Sequence, residues 1–280
     1  MAHPLSASLT LMCTLIFGLC VLGPGSLVLG ANRDENPARP TEPPQVLASH
    51  PYVVGGRDLL SGGTWLAIRD GRAAIAILNR REPGWDGPPA DDTALRSRGL
   101  LALEVAVEPR GDGAPYVDAA RELATCKLLD HRFAPFTLAV LAPESAWILR
   151  AGGAALPTWT TPAPGWHVVT HRDIDDSTEP RTRRLLGALD RPTSPATTAT
   201  AEERLLALLS LHADAGGDAT AGEPVCIHEG RMVTVSSSLF MHTPHTARYL
   251  HVEGRPCTAT PRDLTALVAA PAATPREQGA

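Results

Sequence analysis

The sequence has few aromatic residues and no long block of one charge sign. Phe, Trp and Tyr make up 4% of the 280 residues, and the net charge is −5. A nucleic-acid-binding surface needs a basic patch or stripe, so the composition argues against nucleic acid as a partner. No GxGxxG or Walker motif follows a strand-like segment, so nucleotide binding has no sequence support.

Cysteine is scarce and not arranged in CxxC pairs. An odd number of cysteines without such spacing argues against a disulfide framework and against a structural zinc site. Ten histidines are present, but pairs such as His167 and His171 have no cysteine or carboxylate at metal-binding spacing. We therefore predict reduced thiols, a cytoplasmic location, no metal and no cofactor. The five cysteines are Cys13, Cys20, Cys126, Cys226 and Cys257.

The chain also lacks an unbroken apolar run long enough to cross a membrane, which takes about 20 residues. The apolar stretch 12–35 is interrupted at 23–26 by Gly-Pro-Gly-Ser, and no lysine or arginine precedes Arg33 as a signal peptide would require. The short flanks Thr14–Phe17 and Leu27–Leu29 instead predict a β-hairpin of two buried strands. We predict no membrane span. A secretory or lipoprotein signal is the alternative.

Hydrophobic periodicity predicts strand hairpins early and late in the chain, with helices mainly between them. This order indicates an α+β fold. We expect a single domain over residues 13–270, preceded by an extension at 1–12 and followed by a flexible tail at 271–280. Strands are predicted within 53–68 and at 72–78, 136–141, 146–149, 166–170, 232–241 and 246–252; helices at 115–132, 180–189 and 201–212; loops at 37–51 and 82–93.

The predicted hairpin brings Cys13, before its first strand, towards Arg33 and Asp34 at the end of its second. A neighbouring cation lowers a thiol pKa from about 8.5. An N-terminal Cys13 would also carry an α-amine with a pKa of about 7.7–8.0, which can take the thiol proton as a general base. Asp34 would then orient the amine, and Arg33 would hold the thiolate or a substrate carbonyl. The alternative is a solvated turn with a surface ion pair.

Three motifs in order resemble the NRDE family, also called the transport and Golgi organisation protein 2 family. They are MC at 12–13, ANRDE at 31–35 and VGGRDLLSGGTWLAI at 54–68, with looser similarity at 165–176 and 235–238. The resemblance implies a four-layer αββα sandwich of the N-terminal-nucleophile hydrolase type. It also implies a catalytic site made of Cys13, Arg33 and Asp34.

Two features depart from the family pattern. Eleven residues precede Met12, whereas family members begin at Met-Cys. We favour a mis-assigned start at Met12 over a cleaved leader or an intact form without catalysis. The family also carries an asparagine after the strand near Val169, where this chain has Thr170 and His171. His171 would then take the place of that asparagine at the oxyanion.

Further predicted ligand-binding residues are Asn32, Asp58, Thr64, Trp65 and Ser237. The GGRD and GGTW segments either form the mouth of a site or are glycine turns leading into a strand. The serines at 236–238 either face water or contribute hydroxyls to the site.

Two functions are compatible with these residues. The first is a cysteine amidohydrolase or acyl transferase that acts on C–N bonds of a small or lipid-like acyl substrate. The second is a non-catalytic protein on the same scaffold that binds and traffics haem or acyl-CoA and other lipids, which the family resemblance implies. Fold alone does not decide between them.

Overall fold

The computed structural model describes residues 13–82, 84–85, 94–111, 113–153, 156–190, 197–212 and 223–269. Its strands are β1 (Thr14–Leu19), β2 (Leu27–Glu35), β3 (Thr41–Ser49), β4 (Tyr52–Asp58), β5 (Leu66–Arg69), β6 (Ala73–Asn79), β7 (Phe136–Leu141), β8 (Ala146–Ala151), β9 (Thr158–Thr160), β10 (Gly165–Val169), β11 (Val233–His242), β12 (Ala247–Glu253) and β13 (Arg262–Asp263). Its helices are α1 (Arg98–Ala106), α2 (Gly113–Asp130), α3 (Pro180–Leu189), α4 (Thr198–Leu209) and α5 (Thr265–Val268).

The strands form two antiparallel sheets. The first has the order β10-β1-β2-β11-β12-β13, and the second has the order β3-β4-β5-β6-β7-β8-β9. The predicted hairpin is confirmed, because β1 pairs with β2 from Thr14 opposite Asn32 to Leu19 opposite Leu27. β2 therefore lies in the interior of the first sheet, between β1 and β11.

Alternating side chains of each strand divide the core into three apolar layers. In β1, Leu15 and Phe17 point into the core between the two sheets, whereas Ile16 packs against the helices outside the first sheet. This alternation is the two-residue period of a strand that is buried on both faces. Helices α3 and α4 cover the first sheet, and α1 and α2 cover the second. The predicted four-layer αββα sandwich is confirmed.

Helix α3 begins at a well-capped N-terminus. The Glu179 carboxylate accepts hydrogen bonds from the backbone N–H groups of Arg181 and Thr182, and Pro180 occupies the first turn, where it loses no hydrogen bond. This cap fixes the start of α3 and hence the position of Arg181, which lies 0% exposed beneath the first sheet.

Two sequence predictions need correction. The segment 37–51 was predicted as a loop, but it contains β3, whose prolines are tolerated because β3 is an edge strand with irregular pairing between Glu42 and Gln45. Helix α1 was not predicted. Most of the predicted loop at 82–93, the extension at 1–12 and the tail at 271–280 lie outside the described residues. Among the described helices, none is long and apolar enough to cross a membrane.

Candidate active site

Cys13 lies immediately before β1, at the end of the hairpin where β2 finishes. The backbone N–H of Asp34 points at the Cys13 Sγ, with an N–S distance of 3.4 Å. Pairing of Thr14 with Asn32 sets this geometry, because it brings the residue before Thr14 opposite the end of β2. The predicted meeting of the two hairpin ends is therefore present in the structure.

The two-residue period of β2 sends its polar side chains in opposite directions. Arg33 faces the second sheet, where its guanidinium carbon lies 4.1 Å from the ring centroid of Trp65. Asp34 faces the outer helices, where its carboxylate accepts a 2.7 Å hydrogen bond from the Thr234 hydroxyl. The Arg181 guanidinium lies 3.8 Å from the same carboxylate. Two neighbouring residues thus present a cation to one side and an anion to the other.

A cavity of about 380 Å³ opens beside the Cys13 thiol. Its volume is in the range of small-molecule sites. Several residues predicted from the sequence line it together with residues from α1 and its N-terminal approach. The lining includes Cys13, Arg33, Asp34, Asp58, Thr64, Trp65, Ile77 and Arg98.

The glycines of the GGRD and GGTW motifs build the cavity wall by close approach. A Cβ on Gly56 would overlap the Trp65 ring, and a Cβ on Gly63 would overlap the backbone of Gly99 and Leu100 at the start of α1. These two positions let the Trp65 ring approach β4 closely and let the start of α1 contact the loop between β4 and β5. The motif therefore shapes the wall through the absence of side chains.

Asp58 closes the loop between those glycines and holds the Arg39 guanidinium at the cavity. Its carboxylate accepts backbone hydrogen bonds from Leu60 at 3.0 Å and Ser61 at 3.2 Å. Arg39 Nη2 lies 2.7 Å from Asp58 Oδ2. Desolvation opposes ionisation, but these hydrogen bonds and the Arg39 charge lower the pKa of Asp58. Asp58 is thus an ionised part of the loop and of the cavity wall.

The thiol and the buried carboxylate have strongly displaced protonation equilibria. Desolvation and the Asp34 charge raise the pKa of the Cys13 thiol to about 12, although the Asp34 backbone N–H and Arg33 act in the opposite direction. Burial raises the pKa of Asp34 to about 6, against the opposing effects of Arg181 and Thr234. With its amino group in a peptide bond, Cys13 is therefore a neutral thiol at pH 7, and its activation requires a base.

Arg98 is a cavity residue that no sequence motif indicated, because α1 itself was not predicted. Its guanidinium donates a 2.9 Å hydrogen bond to the Pro135 carbonyl oxygen. Burial lowers the pKa of Arg98, with the Cys13 charge acting in the opposite direction. Arg33 and Arg98 thus place two largely buried guanidinium groups around one thiol. An anion or a polarised carbonyl is the ligand chemistry that such a pair favours.

Three predicted site residues do not line this cavity. The Asn32 side-chain amide donates to the carbonyl oxygens of Leu209 and Val225 at 2.9 and 3.0 Å. Ser237 donates its hydroxyl proton to the Asn32 amide oxygen. Asn32 therefore anchors the first sheet to the outer layer, and Ser237 holds the Asn32 amide in position. The neighbouring Ser236 instead lines a depression of about 190 Å³ on the far side of Arg33.

His171 is also outside the cavity lining. It is buried after β10, and its carbonyl oxygen accepts a hydrogen bond from the Arg81 backbone at 3.1 Å. Burial and nearby arginines lower the pKa of His171 to about 4, with Glu179 acting in the opposite direction. This placement gives the predicted oxyanion contact no support, whereas Arg98 occupies the cavity side of the thiol.

The two stacked sheets between helical layers, with a cysteine at the start of the first hairpin, define an N-terminal-nucleophile hydrolase-like fold. A solved Caenorhabditis elegans ortholog of N-acylethanolamine-hydrolyzing acid amidase is similar, with a TM-score of 0.52 and 14% identity over 81% of this chain and 92% of that chain. A conjugated bile acid hydrolase from Clostridium perfringens, solved as its C2A mutant, gives a TM-score of 0.46 and 9% identity over 90% of this chain and 96% of that chain.

The family assignment comes from a separate comparison. The family model for Transport and Golgi organisation 2 matches residues 12–215, which is most of the chain. The chain therefore belongs to the Transport and Golgi organisation 2 family. A search of curated proteins finds no match.

Proposed function

We propose that the protein is a cysteine N-terminal-nucleophile hydrolase or acyl transferase, active when Cys13 carries a free α-amine. The observation that carries this proposal is the meeting of Cys13, Arg33 and Asp34 at one cavity at the open end of the β1–β2 hairpin. The amine would provide the base that a thiol with a pKa of about 12 otherwise lacks.

In the proposed reaction the α-amine takes the thiol proton and the Cys13 sulfur attacks an acyl carbonyl. The S–C bond forms, the C–N bond of an amide breaks, and the ammonium returns the proton to the leaving amine. Water or an acceptor amine then cleaves the thioester and regenerates the thiol. Arg33 and Arg98 bind the developing oxyanion or an acyl-chain carboxylate, and Asp34 stabilises the ammonium form of the amine.

Asp34 suits that last role because one of its carboxylate oxygens accepts no hydrogen bond from the described residues. Among the described residues, its Oδ2 has no hydrogen-bond donor, although it is fully buried and Arg181 lies 3.8 Å away. A buried acceptor without a donor is costly, and a positively charged N–H group would satisfy it. The free amine at Cys13 is such a group. Apolar wall residues such as Trp65 and Ile77 suit a small or lipid-like acyl group.

The test compares the 280-residue chain with a form that begins at Cys13. Each form is incubated with a panel of long-chain N-acyl amides and acyl thioesters, and intact mass reports an acyl adduct. We expect adduct and turnover only in the Cys13-first form, and loss of both in Cys13→Ala. Cys126→Ala, which removes an exposed thiol on α2, is the matched control and should retain turnover. Turnover by Cys13→Ala at the unsubstituted rate would show that another group is the nucleophile.

A binding role is the second candidate, and the raised thiol pKa is the observation that favours it. With Cys13 inside a peptide chain, the cavity would hold a neutral thiol between Arg33 and Arg98. That arrangement suits the carboxylates of haem or the phosphates of acyl-CoA. Tight binding of either ligand by both forms, without turnover by the Cys13-first form, would select this function instead.

A further inference from the structure

We propose a structural zinc site formed by His212, Cys226, His228 and Cys257, separate from the cavity at Cys13. One ligand atom from each residue lies within 4.8 Å of all the others. The Cys226 and Cys257 sulfurs are 3.6 Å apart, and His228 Nε2 is 3.1 Å from the Cys257 sulfur. None of the four residues lines the cavity at Cys13.

These separations fit the edges of a zinc tetrahedron. With Zn–S bonds of about 2.3 Å and Zn–N bonds of about 2.0–2.1 Å, tetrahedral geometry places two sulfurs about 3.8 Å apart and a sulfur and a nitrogen about 3.5 Å apart. The observed 3.6 Å agrees with the sulfur–sulfur edge, 3.1 Å is shorter than the sulfur–nitrogen edge, and the other pairs, all within 4.8 Å, would draw together around the ion. Two thiolates and two neutral imidazoles would balance the charge of one Zn²⁺ ion, and this Cys₂His₂ set is typical of closed structural sites.

A disulfide explains the cluster less well. The sulfurs of a disulfide are about 2.05 Å apart, whereas Cys226 and Cys257 are free thiols at 3.6 Å. A disulfide also gives no reason for two imidazoles to converge on the same point. The His212 and His228 rings lie nearly perpendicular, with centroids 4.6 Å apart, which lets a nitrogen of each approach one centre.

Backbone hydrogen bonds place the ligands from three separate segments. Cys226 and His228 are two residues apart on the segment that precedes β11, and the Ile227 between them exchanges hydrogen bonds with Thr234 at 2.9 and 3.0 Å. The His228 carbonyl oxygen accepts a 2.9 Å hydrogen bond from Arg255, near Cys257.

His212 follows α4 and joins the same network. The carbonyl oxygen of Leu211 accepts hydrogen bonds from the backbone of Val225 and Cys226, each at 2.9 Å. A bound ion would therefore tie the end of α4 to the 223–228 segment and to the turn after β12. All four coordination positions would be occupied by protein, so the site has no place for substrate.

The test measures metal content and coordination in the full-length chain purified without a polyhistidine tag. We expect about one zinc per chain by mass spectrometry of the metal. Cobalt substitution should give the intense visible bands of tetrahedral Co²⁺ and a thiolate charge-transfer band. Chelation of the zinc should lower the melting temperature.

Variants assign the ligands. Cys257→Ser and His212→Asn should each weaken metal binding at least tenfold, whereas Cys126→Ser should leave it unchanged. His212 is exposed, so its variant keeps the test valid if Cys257→Ser does not fold. Purified protein without zinc and without tetrahedral cobalt bands would overturn the proposal, as would a mass 2 Da lower that maps to a Cys226–Cys257 disulfide. Zinc content and affinity in both ligand variants equal to those of the unsubstituted chain would also overturn it.

Discussion

Replacing Asp34 with asparagine should make the protein more stable at neutral pH. The Asp34 carboxyl is buried, and burial raises its pKa from 3.8 to about 6 despite Arg181 and Thr234. Between these two pKa values the native chain holds a proton that the unfolded chain has released. Raising the pH through this window therefore lowers the free energy of unfolding.

The size of the effect follows from the two pKa values. One pH unit between them corresponds to about 1.4 kcal/mol, so ionised Asp34 lowers stability by about 3 kcal/mol above pH 6. Asparagine has nearly the same shape, keeps an oxygen for the Thr234 hydroxyl and cannot ionise. The stability difference between Asp34→Asn and the unsubstituted protein should grow from near zero at pH 4 to about 3 kcal/mol at pH 7.

Urea unfolding of both proteins at intervals from pH 4 to 8 measures this difference directly, because the other titrating groups contribute equally to both. Asp118→Asn removes an exposed carboxylate on α2 and is the control. A difference that does not change with pH would refute the burial argument. A loss of stability at pH 7 would show that the Arg181 ion pair outweighs the desolvation of Asp34. The proposed function adds that Asp34→Asn, although more stable, should lose turnover.

Two further predictions concern the scaffold. Gly63→Ala should destabilise the protein by about 1–3 kcal/mol in urea unfolding, since its Cβ would overlap the start of α1. Gly187→Ala, on an exposed helical position with open space around it, should stabilise by about 0.5–1 kcal/mol, and equal effects of the two changes would contradict the close-approach argument. Asp175→Asn should lower stability at pH 6 but much less at pH 9. Desolvation lowers the pKa of His167, but Asp175 and a backbone carbonyl oxygen outweigh it, so the pKa of His167 is raised overall. The ion pair of protonated His167 with Asp175 therefore stabilises the fold below pH 6.5, and this contribution is lost as His167 deprotonates. A constant loss from pH 6 to 9, measured by the same urea titration, would contradict the role of the charge.

Sequence patterns predicted the hairpins well because their strands carry apolar side chains on both faces. β1 and β7 are short apolar runs bounded by turn residues, and that pattern is typical of buried strands. β3 was missed because its prolines are typical of loops, and only its edge position makes them acceptable. Helix α1 was missed, and with it Arg98. Helix α1 packs against a sheet built from distant strands, which no local pattern shows. The residues that it buries there are Leu101, Ala102, Val105 and Ala106.

The candidate site was predictable where residues are adjacent in β2 and unpredictable where partners come from elsewhere. Cys13, Arg33 and Asp34 follow from one hairpin. Asn32 points away from Arg33 because of the two-residue period of β2, and the carbonyl groups of Leu209 and Val225 that its amide binds lie far along the chain. The cluster of His212, Cys226, His228 and Cys257 was hidden for the same reason, because its members do not show the short spacing of known zinc motifs.

The opposite directions of Arg33 and Asp34 limit how the length of β2 can vary. One residue inserted in β2 before Arg33 would invert every following side chain, so that Arg33 would leave Trp65 and its guanidinium would be buried against Arg181. The turn at 20–26 carries no such restriction, since it lies at the far end of the hairpin from Cys13. Natural relatives should therefore differ in length at this turn and keep an invariant residue count from the middle of β2 to Glu35.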